Sequence, residues 1–273
     1  MLTDFFTELL KSEKAGQGDH CDFIAVSFSS PDYVGHAYGP NSTEIMDTYL
    51  KMDKQIARLL DTLDRCIGKG NYLLFLTADH AVKPNNAYLE TNRIPSGDVM
   101  PKSIRDPLFE YCRNQFGSAR IIEVVEDNQV YLNHLFLDSL KLDVKEVDTR
   151  LAGFMRATFP FMGLIMTKEE LIIKSPERSM NTFILNGFNI QRSGDIVFEM
   201  APNQIISSEG KSGTTHGSSY NYDTHVPLIF YGWHIKPGES NKEVFVEDIA
   251  PTITNLIHIQ EPDAAIGIPV IQP

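Results

Sequence analysis

The sequence predicts an α/β fold, a largely parallel sheet flanked by helices, interrupted by a mixed α+β insertion. Three observations carry this reading. The apolar run "FIAVSFS" precedes a long helical pattern over residues 42–66, and "YLLFLTAD" follows it, giving strand, helix, strand. A later apolar run, "VPLIFYGW", leads into the helical pattern "VEDIAPTITNLIHI". Between these, residues 83–210 change character: Pro84, Pro95, Pro101 and Pro107 crowd together, and helical and strand-like segments then alternate. The organisation expected is a core made of 1–82 and 211–273, with 83–210 inserted as an α+β subdomain.

Taken in order, the first element is an amphipathic helix capped at Thr3, with Phe5, Phe6, Leu9 and Leu10 on one side. The polar stretch "SEKAGQGDH" ends it, and the first strand follows. Asn41 and Glu44 are spaced as a capping box, and Ile45, Tyr49, Met52, Ile56, Leu59, Leu60 and Leu63 keep helical spacing up to the break at "GKGN". "YLLFLTAD" is a short apolar run of buried-strand length. Inside the insertion the patterns predict helices near 106–116, 143–157 and 176–187, and strands in "RIIEVVEDNQVYL" and "FMGLIM". "GDIVFEMAP" reads as a strand that returns the chain to the first core.

Composition narrows the function. With 36 acidic against 24 basic residues the net charge is −12, which opposes binding to a nucleic-acid backbone or an anionic membrane surface. Cys21, Cys66 and Cys112 are too few, and odd in number, for a disulfide framework, and their spacing fits no zinc motif. No run reaches the length of a membrane span, and the first residues carry no export signal.

The chemistry-bearing residues sit where the expected strands end. "SSPDYVGHAYGP" holds Asp32 and His36 four residues apart, "TADHAV" holds Asp79 beside His80, and "GTTHGS" holds His216 on a Gly-flanked loop. Each alone reads equally well as a turn cap or an exposed histidine. Together they are different, because the crevice beyond the carboxyl ends of strands is where ligands bind in open α/β sheets. Carboxylate oxygens and imidazole nitrogens suit zinc or a similar divalent ion. Asp223 and His225 read as supporting residues. Tyr33, Tyr38 and Tyr220 flank these loops and read as packing residues. His20, His134, His234 and His258 show no constellation.

The segments "SFSSPDYVGHAYGPNS", "FLTADHAV", "GTTHGSSYNYDTHVPLIFYG" and "IKPG" resemble the alkaline phosphatase superfamily. The branch they most resemble comprises type I phosphodiesterases/nucleotide pyrophosphatases and the bacterial single-chain alkaline phosphatases close to them. The resemblance implies two zinc ions above a sheet, and transfer of a phosphoryl group to a Thr or Ser and then to water. It implies that Asp32, His36 and His216 bind the first zinc, while Asp79 and His80 belong to the second. The substrate implied is a small-molecule phosphate ester, chiefly a monoester, with a diester or nucleotide pyrophosphate as the alternative, and the location implied is periplasmic or exported.

The departures matter as much. The strand-end Asp that completes the second zinc site and the nucleophile that follows it have no counterpart here. Thr214 and Thr215 belong to the His216 loop and are not read as substitutes. The chain is therefore expected to be the C-terminal part of a longer enzyme, inactive alone, holding at most one zinc well and prone to self-association through an exposed face. Ala81 stands where the family most often has Gly. Sulfatase chemistry is opposed by the absence of C-x-P-x-R and S-x-P-x-R. A non-catalytic metal-binding or interaction domain is the alternative of another class.

Overall fold

The computed structural model describes residues 1–173, 180–207 and 213–271. Its strands are β1 (Leu73–Leu76), β2 (Gly97–Val99), β3 (Ile122–Glu126), β4 (Gln129–Leu132), β5 (Met162–Thr167), β6 (Ile196–Met200), β7 (Gln204–Ile206) and β8 (Ile229–Gly232). Helices separate most of them, as the α/β class requires. The chain divides into two compact units, one made of Met1–Val34, Thr43–Ala81 and His225–Pro273, the other of Gly35–Ser42 and Val82–Thr224.

In the first unit, helices Leu2–Ser12 and Thr43–Cys66 bury Phe6, Leu10 and Leu59 against one another. The 43–66 helix follows the apolar spacing of its sequence, with charged residues on its outer side. Thr3 is not a cap: it lies inside the first helix, buried, and its carbonyl accepts a hydrogen bond from the Thr7 hydroxyl at 2.9 Å. Residues 23–29, expected as a strand, join no ladder. Their apolar side chains are used in packing instead: Phe23 stacks on Phe75 at 6.3 Å, and Ile24 and Val26 lie against the helical core. β1 pairs with β8 antiparallel, Phe75 opposite Phe230. The pair is closed at Gly232 (φ 102°), where a β-carbon would come 2.2 Å from the Tyr72 carbonyl oxygen.

The second unit is built on a four-stranded antiparallel sheet in the order β3-β4-β6-β5. Helices Pro101–Phe116 and Val144–Thr158 cover it, enclosing Leu108, Cys112, Val130, Leu151, Met155 and Ile196, none more than 1% exposed. "RIIEVVEDNQVYL" is a hairpin rather than one strand. Asp127 (φ 50°) and Asn128 (φ 58°) form its two-residue turn, a conformation these two residue types adopt most readily among those with a side chain, and so short a turn permits only antiparallel pairing. β6 does not return to the first core; it pairs with β4 and β5 inside this sheet. Parallel pairing, expected to dominate, is seen between β2 and β7, while the other pairings among the described residues are antiparallel.

The expected helix near 176–187 is found as Met180–Gly187, and residues 174–179 lie outside the described residues. The expected subdomain boundary at 210/211 lies outside them as well. No helix among the described residues is long and apolar enough to cross a membrane. The three cysteines are unpaired; Cys21 is exposed, whereas Cys112 is sealed in the second unit's core, where burial pushes its thiol up to about 12.

Candidate metal centre

The segment "SPDYVGHAY" is a helix, Ser30–Tyr38, not the loop its Pro31 and Gly35 suggest. Proline is tolerated in a first helical turn, where its missing N–H has no partner to lose. Asp32 and His36 thereby stand one turn apart on the same helix.

In the first unit, β1 ends at Leu76 and the chain continues outside regular structure, bending at Asp79, to His80. His80 is held from two directions. Its Nδ1 lies 2.9 Å from the Ala81 carbonyl oxygen, and its backbone N–H donates to Asp79 Oδ1 at 3.1 Å. A carbonyl oxygen can only accept, so Nδ1–H is the donor in this bond. That Nε2 lies 3.8 Å from Asp32 Oδ1 and 3.8 Å from Asp79 Oδ1. Three of the residues singled out in the sequence are thus gathered about one imidazole nitrogen.

In the second unit, His36 and His216 lie with ring centroids 5.0 Å apart. The loop bearing His216 is stitched to His36 by two hydrogen bonds: the Thr214 N–H donates to the His36 carbonyl at 3.0 Å, and His36 Nδ1–H donates to the Thr214 carbonyl at 2.9 Å. The close approach depends on Gly213, where a β-carbon would sit 2.3 Å from the His36 carbonyl oxygen. Thr214 itself is buried and donates its hydroxyl to the Lys83 carbonyl at 2.8 Å, so its oxygen is engaged in holding the loop.

Beyond His216 the loop is fastened by two buried carboxylates. Asp223 Oδ2 accepts from the Ser218 N–H (2.9 Å) and hydroxyl (2.6 Å), and Glu199 Oε2 accepts from the Ser219 N–H (3.3 Å) and hydroxyl (2.9 Å). Sequence reading gave Asp223 a supporting role and passed over Glu199. The signal was a carboxylate between Phe198 and Met200 in an otherwise apolar strand. Burial raises the Glu199 carboxyl above its usual range, and neighbouring Asp223 raises it further against the Ser219 hydrogen bonds. Lys83, also overlooked, is fully buried; its ammonium donates to the Pro84 carbonyl (3.0 Å) and Asn86 Oδ1 (2.7 Å), and burial lowers its pKa against the pull of Asp98 and Asp223.

The remaining singled-out residues fall elsewhere. His225 is exposed, Tyr33 and Tyr38 are largely exposed, and the Tyr220 hydroxyl donates to the Met200 carbonyl at 3.0 Å. His134 pairs with buried Asp195 at 2.8 Å, a structural contact in the sheet unit.

Imidazoles whose Nδ1–H is anchored on a backbone carbonyl, together with aspartate oxygens, are donors of the kind that bind divalent metal ions. A family model described as type I phosphodiesterase / nucleotide pyrophosphatase matches residues 2–221. The alkaline phosphatase PafA of Elizabethkingia meningoseptica is 35% identical over 269 residues, covering 96% of this chain and 48% of the relative. The alkaline phosphatase PhoV of Synechococcus elongatus is 37% identical over 269 residues, covering 97% of this chain and 47% of the relative. A crystal structure of wild-type alkaline phosphatase PafA matches with a TM-score of 0.91 at 34% identity, covering 98% of this chain and 51% of that one. The chain spans about half the length of the curated relatives it matches.

Proposed function

The chain belongs to the type I phosphodiesterase / nucleotide pyrophosphatase family, and from that premise we propose that it supplies the metal-binding residues of a phosphate-ester hydrolase of the alkaline phosphatase kind. Asp32, His36 and His216 are proposed to hold one zinc, and Asp79 and His80 to contribute to a second. The substrate is a phosphomonoester in this reading, in keeping with the names of the relatives; the family description keeps phosphodiesters as the second reading. The enzyme works outside the cytoplasm in this reading.

The observation that carries the proposal is the shared tie of His36 and His80, each with Nδ1 at 2.9 Å from a backbone carbonyl. The tie fixes the tautomer and the ring plane in advance, so no rotational freedom is lost when Nε2 takes a metal. When bound, the two ions neutralise charge on the transferring phosphoryl group and lower the pKa of the attacking oxygen. The chain's own part is to hold the ligands and to orient the His216 loop through Thr214, Ser218 and Ser219. None of its residues matches the Thr or Ser that would carry a covalent phosphoryl group, so the 273 residues alone are proposed to be inactive.

The test is zinc binding by calorimetry to the wild type and to His216→Ala. Loss of at least about tenfold in affinity is expected, since each first ligand of such a site contributes strongly. Unchanged binding would remove His216 from the ligand set and with it the proposal.

A further inference from the structure

Lys83 has none of its surface exposed, whereas every other buried charged residue described keeps 4% or more. Its ammonium donates to the Pro84 carbonyl at 3.0 Å and to Asn86 Oδ1 at 2.7 Å, both neutral acceptors. A buried cation on neutral partners alone is costly, and an apolar side chain of similar length would fill the same space without that cost. Packing therefore does not account for the residue. What the ammonium does is close the turn over residues 83–86 on itself, since both of its partners lie within that turn.

Two parts of the metal centre hang on this turn. The Lys83 carbonyl accepts the Thr214 hydroxyl at 2.8 Å, and Thr214 is joined to His36 through both its N–H and its carbonyl. Asn85 Nδ2 donates to the Tyr38 carbonyl at 3.1 Å, at the end of the helix that bears His36, while Asn85 Oδ1 accepts from the Tyr88 N–H at 2.8 Å and caps the helix Asn86–Thr91. Gly39 (φ 83°) permits the approach, because a β-carbon there would come 2.8 Å from Asn85 Nδ2. The loop of His216 and the helix end of His36 are thus fastened to one short turn.

We propose that Lys83 is a positioning residue for the metal centre: by closing the 83–86 turn, its ammonium sets where His36 and His216 stand relative to each other. The inference rests on the zinc assignment of those two histidines made above. Lys83 itself is not a ligand in it.

The experiment uses the intact 273-residue chain with cobalt(II) as the probe, whose visible absorption reports the coordination geometry and whose displacement by zinc reports affinity. Lys83→Met is expected to weaken binding by at least about tenfold and to shift the cobalt bands, as the loss of a group that orients ligands does. Thr214→Val should do the same, and Thr214→Ser, which keeps the hydroxyl, should restore both. Since the two residues act through one link, Lys83→Met combined with Thr214→Val should cost little more than either alone. Asp195→Ala, which loosens the same unit away from the turn, should leave affinity and spectrum as in the wild type. Should Lys83→Met fail to fold, Asn86→Ala removes the ammonium's side-chain partner and Asn86→Asp keeps an acceptor there; a weaker site in the first and a retained one in the second are expected. A wild-type chain that binds no cobalt overturns the zinc assignment and this proposal together. Cobalt bound by the wild type, with unchanged affinity in Lys83→Met or Asn86→Ala, additive losses in the double variant, or an equal loss in Asp195→Ala, overturns this proposal alone.

Discussion

His36 Nδ1 and the carbonyl oxygen of Thr214 lie 2.9 Å apart, although 178 residues separate them in sequence. The bond answers to the reciprocal Thr214 N–H to His36 carbonyl bond at 3.0 Å, so the imidazole is oriented by the same strip of backbone that delivers His216. The Nδ1–H is held by a backbone acceptor, which no single side-chain substitution removes.

Gly213→Ala probes that arrangement without touching a ligand. The new β-carbon would meet the His36 carbonyl oxygen at 2.3 Å, far inside contact distance, so the loop must withdraw. Zinc affinity is expected to fall by about 10- to 100-fold, the range seen when groups that orient ligands are disturbed. Chelator competition measures it, and an affinity equal to the wild type would show that the loop position does not govern the site.

Buried Asp195 engages both of its carboxylate oxygens within the sheet unit. Its Oδ2 accepts from the Leu132 N–H at 2.8 Å and its Oδ1 from His134 Nε2 at 2.8 Å. Asp195→Ala leaves a buried backbone donor unsatisfied and is expected to cost about 3 kcal/mol in urea unfolding. A loss below about 1 kcal/mol would mean that water replaces the carboxylate there.

Buried Asp148 gives a pH signature. Burial raises its carboxyl from 3.8 to about 6, outweighing the hydrogen bond from Thr149. The folded state therefore holds this proton more tightly than the unfolded one. Stability from this group is present below about pH 4, is lost as pH rises towards about 6, and does not return above it. Asp148→Asn should abolish that slope and stabilise the protein at neutral pH by on the order of 2 kcal/mol. Denaturant midpoints measured across this range, parallel for the two proteins, would contradict it.

With zinc in excess, the 273-residue chain is expected to hydrolyse neither p-nitrophenyl phosphate nor its bis-ester above the buffer rate. A nucleophile removed from a covalent mechanism costs several orders of magnitude in rate. Turnover that needs zinc and disappears in His36→Ala would place a nucleophile within these residues.

The long helix over Thr43–Cys66 was legible because its apolar residues recur at helical spacing and a glycine break follows its last turn. Leu73–Leu76 and Ile229–Gly232 were legible as apolar runs, but their direction was not, since a run of side chains says nothing about which way its partner points. The helix Ser30–Tyr38 was hidden by Pro31 and Gly35, residues that read as punctuation wherever they occur. The hairpin was hidden for the opposite reason: Asp127 and Asn128 sit in a polar stretch that resembles an exposed strand face. Of the candidate site, Asp32, His36, Asp79, His80 and His216 stand out in the sequence as carboxylates and imidazoles near the ends of apolar runs, while their division between two metals comes only from the family resemblance. Glu199 could not, because one carboxylate in a strand ordinarily faces water, and only the fold turns it inward towards Ser219.

The sealed position of Cys112 also makes the protein its own stopwatch. A thiol held up at about 12 and enclosed by the second unit's core cannot meet an alkylating reagent in the closed protein, whereas exposed Cys21 meets it at once. The delay between the first and last modification then times how often that core opens, region by region, with no label added and no residue changed.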